Sequence, residues 1–386
     1  MVQTDNKTKT ATGERPPVSI ITGYLGAGKT TLLNRLLAHR GMARAAVIIN
    51  EFGEIGLDHL LVATPSENTV LLQNGCLCCT VRGDLVETLH DLLIKRRDGG
   101  LPPFDRVLIE TTGLADPVPV LRTLASEEII IPHLKLGAVI TLVDGVNGES
   151  QLDDCPESVK QAAVADCLLV SKADLAGAQA VARLRERLAG INPGAQIHEV
   201  SRGEIAPELL FDAALDDAAA KGERIERWLN EAAFVKAARA PLHTKRGRYG
   251  NKNGSKNASH DARISSFAVR RDGEVSGAGL MGWLNLLAAL KGANLLRVKG
   301  IVNVEGRPVA VHAVQSVIHE PMTLDAWPSR DRASRIVFIT RDMARAELEA
   351  TLPALDLKAR RPGSGVAIDP EAYAKFAQAM SAFRVN

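Results

Sequence analysis

The chain has 386 residues, 46% hydrophobic and 24% charged, which is the balance of a globular protein with a core and room for two domains. With 47 Lys and Arg against 45 Asp and Glu, the net charge of +2 argues against nucleic acid or an anionic membrane surface as the main partner. No apolar run reaches membrane-spanning length, so no membrane partner is expected. The segment Met1 to Pro17 is polar and lacks the apolar block of a signal peptide, so residues 1–16 are expected to form a flexible tail. Five cysteines, an odd number, speak against a disulfide framework and for a reducing compartment, with the cytoplasm as the expected location.

In chain order, Val18 to Thr22 reads as a buried strand and Lys29 to Ala38 as a helix. Ala45 to Ile49 and Thr69 to Leu72 read as strands. Val81 to Arg97 carries Leu85, Leu89, Leu92 and Leu93 at helical spacing. Arg106 to Ile109, Ala138 to Val143, Cys167 to Val170 and Gln196 to Val200 are further strands, with a helical pattern at Ala178 to Leu188. Apolar strands alternating with helices predict an α/β domain over 17–220 with a mostly parallel sheet covered on both faces.

The pattern then breaks. Residues 212–240 are rich in Ala and charge and read as helical. Thr244 to His260 mixes Lys245, Arg246, Arg248, Lys252 and Lys256 with Gly, Asn and Ser, so 221–262 is expected to be a helical segment followed by a basic linker. Beyond it, Arg263 to Arg270, Leu295 to Val304, Pro308 to Ile318 and Arg335 to Thr340 read as strands. Gly277 to Lys291 and Arg341 to Leu352 read as helices. Strands with short connections predict a smaller α+β domain over 263–352, an antiparallel sheet with helices on one face, followed by a tail over 353–386. There is no internal repeat.

The chemistry starts at Gly23-Tyr24-Leu25-Gly26-Ala27-Gly28-Lys29-Thr30, a GxxxxGK[ST] loop directly after a strand and opening a helix. Its glycines allow backbone N–H groups to turn onto phosphate oxygens, and the helix N-terminus adds its dipole. Gly23, Gly26, Ala27, Gly28, Lys29, Thr30 and Thr31 are the expected nucleotide ligands, with the Lys29 ammonium on the β/γ-phosphates and the Thr30 hydroxyl on Mg²⁺. Val107-Leu108-Ile109-Glu110-Thr111-Thr112-Gly113 supplies a strand-end carboxylate, Glu110, for a Mg²⁺-bound water or the attacking water. Gly113 is free to approach the γ-phosphate.

Guanine requires a carboxylate that accepts from N1–H and N2–H₂ together. Ser171-Lys172-Ala173-Asp174 follows a strand and offers Asp174 for that pair, with the Lys172 stem over the ring. The usual motif begins with Asn, where this chain has Ser171. Ser201, in Ser201-Arg202-Gly203 after the next strand, is a candidate to present backbone N–H groups to the guanine oxygen. The combination predicts GTP as nucleotide and GTP hydrolysis to GDP and phosphate.

Gly75-Cys76-Leu77-Cys78-Cys79-Thr80 gathers three thiols that would repel as thiolates unless a cation neutralised them. Soft sulfur ligands select Zn²⁺, Cu⁺ or Co²⁺. The sequence has no second Cys pair, so the set is open in the way a transfer site requires, and Glu51 or Glu54 of Asn50-Glu51-Phe52-Gly53-Glu54 is available to complete it. A redox switch, a structural site completed by a distant His and buried inert thiols are the competing readings of the cluster. Cys167 lies in an apolar run and reads as a core residue; His312 and His319 lie in strand-like segments and read as structural.

These motifs carry a resemblance. Thr22 to Asn34, Asn50 to Glu54, Gly75 to Cys79 and Glu110 to Gly113, with Arg297-Val298-Lys299-Gly300 and Trp327-Pro328 followed by Ser334 to Phe338, make the chain similar to the CobW family of nucleotide-dependent metallochaperones. The resemblance spans most of residues 17–345 and implies a SIMIBI-like P-loop NTPase domain followed by the family's C-terminal domain. It implies Zn²⁺ or Co²⁺ on Cys78 and Cys79 with Cys76 and Glu51 nearby, Mg²⁺ on Thr30 and Glu110, and delivery to a client metalloprotein. A monomer or homodimer is expected, and the sequence leaves the choice open. Many members carry a His-rich tract between the domains, whereas here only His243 and His260 flank the linker. The readings that compete with metal delivery are a redox-sensing regulatory GTPase, an activator dedicated to one enzyme such as a cobaltochelatase or nitrile hydratase, and a non-hydrolysing metal store.

Overall fold

A computed structural model describes residues 15–50, 70–74, 81–215, 218–239 and 263–357. Its first sheet is parallel throughout. β1 (Pro17–Gly23), β2 (Ala45–Asn50), β3 (Val70–Asn74), β4 (Arg106–Glu110), β5 (Lys135–Asp144), β6 (Cys167–Ser171) and β7 (Gln196–Val200) lie in the order β3-β2-β4-β1-β5-β6-β7. The inner strands are apolar because both faces are covered. Val18 and Ile20 of β1 pack with Val107 and Ile109 into one core, whereas Ile21 joins Leu108 and Ile140 in the core under the opposite face.

The helices of this half are α1 (Lys29–Leu37), α2 (Val81–Arg97), α3 (Val118–Ser126), α4 (Gly148–Asp154), α5 (Pro156–Val164), α6 (Ala173–Ala176), α7 (Ala178–Ile191) and α8 (Pro207–Phe211). Each longer helix buries one stripe: Leu32, Leu33, Leu36 and Leu37 on α1, and Val181, Leu184, Leu188 and Ile191 on α7. α5 was not evident from the sequence pattern. It starts with Pro156 at its first position, and its last turn is capped by Asn192, whose amide donates to the carbonyls of Ala162, Ala163 and Ala165 at 2.9–3.1 Å.

Among its described residues, the stretch expected to be helical over 212–240 holds α9 (Gly222–Leu229) and α10 (Glu231–Arg239). Asn230 separates them at φ 49°, a left-handed position that ends a helix, and its side chain donates to Pro193 O at 2.9 Å. The basic linker Thr244 to His260 lies outside the described residues, as does the tail beyond residue 357.

The second sheet is antiparallel, built from β8 (Ile264–Arg271), β9 (Leu295–Val304), β10 (Arg307–Val314), β11 (Val317–Ile318), β12 (Met322–Thr323) and β13 (Ser334–Arg341), in the order β11-β10-β9-β13-β8 with β12 beside β10. The single strand expected at Pro308 to Ile318 is two strands, because Gln315 turns the chain at φ 52°. α11 (Gly277–Lys291) covers one face through Trp283, Leu284 and Leu287. The helix expected at Arg341 to Leu352 is reduced to α12 (Arg345–Glu349): Arg341 still pairs with Ile264 in β13, and Asp342 follows at φ 54°.

The other face of this sheet is not open. Leu296, Ile301, Val337 and Ile339 share one core with the parallel sheet and with Ile225, Trp228 and Phe234 of α9 and α10. β9 therefore sends alternate residues in opposite directions, and two of those directed at the first sheet's helices are Arg297 and Lys299, each 2% exposed. The Arg297 guanidinium binds the Val164 carbonyl and the Asp166 carboxylate, and the Lys299 ammonium lies 3.3 Å from the same carboxylate. Burial pushes Asp166 up, but the two cations outweigh it and hold its carboxyl below the usual range. Burial, with Arg297 adding to it, brings Lys299 down to about 8.

Candidate nucleotide site

In a parallel sheet the strand ends and following turns gather on one edge, which is where ligands bind in open α/β folds. Here that edge carries Gly23 at the end of β1, Glu110 at the end of β4, Asp144 at the end of β5 and Ser171 at the end of β6.

The loop between β1 and α1 is held by its glycines. Gly26 and Gly28 adopt φ 74° and 91°, and Gly28 stands directly before α1. A Cβ added at either would meet nothing within 4 Å, so the space above the loop is open for phosphate. Gly23 differs: at φ 141° an added Cβ would strike Leu142 O at 2.4 Å, so the strand itself requires glycine there. The Lys29 ammonium folds over the loop, donating to Gly23 O at 3.0 Å and Tyr24 O at 3.5 Å. Thr31 is exposed on α1.

Thr30, on α1, meets Glu110 at the end of β4. The Thr30 hydroxyl lies 3.5 Å from Glu110 Oε1, and Glu110 is 6% exposed. Two hard oxygens on one side of a phosphate loop fit Mg²⁺, which takes few protein oxygens and completes its shell with water and phosphate. Bound there, Mg²⁺ would supply charge neutralisation between the β- and γ-phosphates. Beneath, the Thr111 hydroxyl donates to the Thr22 hydroxyl at 2.9 Å, closing β4 onto β1. Gly113 then passes so close to the phosphate loop that an added Cβ would stand 2.6 Å from Leu25 N.

Asp144, absent from the motifs above, organises the strand ends beside the expected base-reading residues. It is 1% exposed and accepts from the N–H of Val146 at 2.8 Å and of Asn147 at 3.2 Å, and from Lys172 Nζ at 2.7 Å. Burial pushes this carboxyl up; the Lys172 ammonium and the N–H groups outweigh it and hold it below the usual range. A buried acid at the end of an apolar strand and before a glycine was the available signal. Lys172 itself sits at φ 52°, a left-handed conformation that L-residues adopt only when neighbours hold them there. It leads into α6, where Asp174 is exposed with Arg202 Nε 4.0 Å away. Ser201 is exposed at the end of β7, and Gly203, at φ 76°, packs against Thr31 O of α1.

Two contacts at this edge were also invisible in the pattern. The Ser171 hydroxyl donates to Ala27 O in the phosphate loop. The Cys155 sulfur, at the N-terminus of α5, lies 3.2 Å from the Tyr24 hydroxyl in a hydrogen bond, and this contact raises the Tyr24 hydroxyl above the usual phenol range. Cys167 is buried in β6, as a core residue would be, and burial drives its thiol upward. Cys76, Cys78, Cys79, Glu51 and Glu54 lie outside the described residues. Among the described residues no three His, Cys, Asp or Glu groups come together as a metal site, and no helix is long and apolar enough to cross a membrane.

Comparison with known proteins adds to this geometry. Residues 17–199 match the model of the CobW/HypB/UreG nucleotide-binding domain, and residues 264–355 match the cobalamin synthesis protein cobW C-terminal domain. Over 195 residues, half of the chain, the sequence is 41% identical to the zinc chaperone YjiA of Escherichia coli, covering 60% of that protein. Over 229 residues it is 37% identical to the zinc chaperone CobW of Pseudomonas aeruginosa, covering 59% of it. The chain thus spans about three-fifths of the length of these curated relatives. The crystal structure of the Zn(II)-bound YjiA GTPase from E. coli superimposes with a TM-score of 0.63 at 27% identity, over 89% of this chain and 99% of that one.

Proposed function

The chain belongs to the CobW family, and from that premise we propose that it is a Mg²⁺-dependent GTP hydrolase that carries Zn²⁺ at Cys76, Cys78 and Cys79, with Glu51, and hands it to a client metalloprotein in the cytoplasm. The observation that carries the reading is the presence, on one chain, of an open phosphate loop with Thr30 facing Glu110 and a CxCC cluster directly before α2.

Gly26 to Thr31 bind the phosphates, with the Lys29 ammonium moving from the loop carbonyls to the β/γ-oxygens. Thr30 and Glu110 would hold Mg²⁺, which would supply charge neutralisation at the phosphates. Gly113 would offer its N–H to the γ-phosphate, and Glu110 would polarise the attacking water. Hydrolysis breaks the bond between the γ-phosphorus and the β,γ-bridging oxygen, and water supplies the new oxygen on phosphate. Asp174 accepts from guanine N1–H and N2–H₂, Lys172 covers the ring while Asp144 fixes its ammonium, and Ser201 frames the guanine oxygen.

Zn²⁺ is favoured over Co²⁺ because divalent affinities at such a borderline-soft thiolate site rise from cobalt toward zinc and copper. Asn50 ends β2 and leads into the segment that bears Glu51, so γ-phosphate contacts that order this segment would bring its carboxylate to the thiolates. Release follows hydrolysis or client docking. Linkage requires the metal to tighten GTP binding by the same factor as GTP tightens metal binding.

The direct test is Zn²⁺ binding and GTP turnover in wild type and in the Cys78→Ala/Cys79→Ala variant. The expected outcome is loss of tight Zn²⁺ binding with Mg²⁺–GTP binding retained. Unchanged Zn²⁺ affinity removes the metal assignment, and absence of wild-type turnover removes the hydrolase assignment.

A further inference from the structure

Lys160 and Gln161 are consecutive residues of α5, and between them they hold the segment that follows Glu110. Gln161 is 1% exposed; its amide donates to Ala115 O at 2.9 Å and to Gly113 O at 3.4 Å. Its own main-chain carbonyl accepts from the Thr141 hydroxyl of β5 at 2.9 Å. The Lys160 ammonium pairs with the Asp116 carboxylate, whose other oxygen accepts from Val118 N–H at 3.1 Å and so fixes the start of α3.

The segment 112–117 is thus suspended from a helix, and it carries Gly113 so close to the phosphate loop that an added Cβ would stand 2.6 Å from Leu25 N. Which part yields is decided by anchoring. α5 is tied at its first residues by Cys155 to Tyr24, along its length by Thr141, and in its last turn by Asn192 and by Arg297 of the second sheet. Thr111 is held by β1, where its N–H donates to Ile21 O, but residues 112–117 have no helix or strand of their own, so their position follows the helix.

We propose that Gln161 and Lys160 are positioning residues for nucleotide hydrolysis: from α5 they set the distance between Gly113 and the phosphate loop without touching nucleotide. This rests on reading the chain as a GTP hydrolase. Backbone N–H groups stabilise transferring phosphate only at hydrogen-bonding distance, and an error of about 1 Å in such a group costs up to about a hundredfold in rate. Ground-state binding is supplied mainly by the loop, α1 and the base-reading residues, which the Gln161 and Lys160 side chains do not bond, so the effect belongs in kcat rather than in nucleotide affinity.

The experiment uses the full chain. Steady-state GTP hydrolysis, the affinity for a fluorescent GDP analogue and the thermal midpoint are compared for wild type, Gln161→Met and Lys160→Met. Methionine keeps the length of Gln161 and falls one atom short of Lys160 while removing both donors, and Lys160 is partly exposed, so that variant folds even where the Gln161 change disturbs packing. The expected result is a fall in kcat of about tenfold or more for Gln161→Met and severalfold for Lys160→Met, with GDP affinity within about twofold of wild type. Wild-type hydrolysis with kcat unchanged in both variants overturns the proposal alone, as does a parallel loss of kcat, GDP affinity and thermal midpoint. Absence of hydrolysis by wild type overturns the hydrolase reading and this inference with it.

Discussion

The Ser171 hydroxyl donates to the main-chain carbonyl of Ala27 at 2.6 Å, tying the end of β6 to the phosphate loop. Ser stands where the usual guanine motif has Asn, and the short side chain reaches because β6 ends against the loop. Ser171 is buried, so Ser171→Ala leaves the Ala27 carbonyl without its donor. The expected cost is about 1–3 kcal/mol in urea unfolding, with weaker binding of fluorescent GDP. Equal stability and equal GDP affinity would show that the bond carries neither.

Asp174 stands exposed at the start of α6, beyond the Asp144–Lys172 pair. Asp174→Asn replaces an acceptor pair by one acceptor and one donor, which mismatches guanine N1–H and N2–H₂ and matches xanthine. GTP affinity is expected to fall by about tenfold or more while xanthosine triphosphate gains. Competition titration of the two nucleotides reads this, and unchanged preference would move the base-reading role elsewhere.

At the junction of the sheets, Asp166 and Arg297 are 1% and 2% exposed. Arg297→Met leaves the buried carboxylate with Lys299 as its one cation and the Val139 N–H as its one backbone donor, and should destabilise the chain by about 3 kcal/mol or more. Adding Asp166→Asn removes the uncompensated charge and should restore part of that loss. A double-mutant cycle in urea checks both numbers, and strict additivity would mean that the two side chains do not interact.

His312 and His319 stack at 4.0 Å beside Trp228, and each has a buried Nε2 with no hydrogen-bond partner. Arg297 and Lys299 face the pair from β9, and Asp166 faces it from the first sheet's side. Burial first, then the neighbouring imidazole and cations, hold His312 well below its ordinary 6.5; burial outweighs Asp166 and brings His319 to about 4. Both native values lie below the unfolded one. The unfolded chain therefore takes up protons first, and stability present above about pH 6.5 is lost as pH falls toward 4. The His312→Gln/His319→Gln variant should show a flatter thermal midpoint across that window. An identical pH slope in wild type and variant would exclude these imidazoles as its source.

Much of the parallel sheet was legible because buried strands announce themselves as apolar runs, and the glycine loop marks the β1–α1 turn. What was not legible depended on tertiary partners. Arg297 and Lys299 at alternate positions of β9 carry part of the resemblance, but nothing in the sequence shows that Asp166 and α5 cover them. Gln161 looks like any polar residue in an Ala-rich stretch; only the carbonyls of Gly113 and Ala115 give it a role. Gln315 and Asn230 break elements through a positive φ that composition does not encode. For the cysteine cluster the order is reversed: its chemistry is written in the spacing of Cys76, Cys78 and Cys79, whose placement lies outside the described residues.

The most direct measurement is Zn²⁺ affinity by competition with a chromophoric chelator, once with Mg²⁺–GTPγS and once with Mg²⁺–GDP. Nucleotide control of the metal site requires tighter Zn²⁺ in the GTPγS state, by about 5- to 150-fold for coupling of ordinary size, and an equal gain in GTPγS affinity when Zn²⁺ is bound. Equal Zn²⁺ affinity in the two nucleotide states, or no tight Zn²⁺ binding in either, contradicts a nucleotide-gated metal carrier.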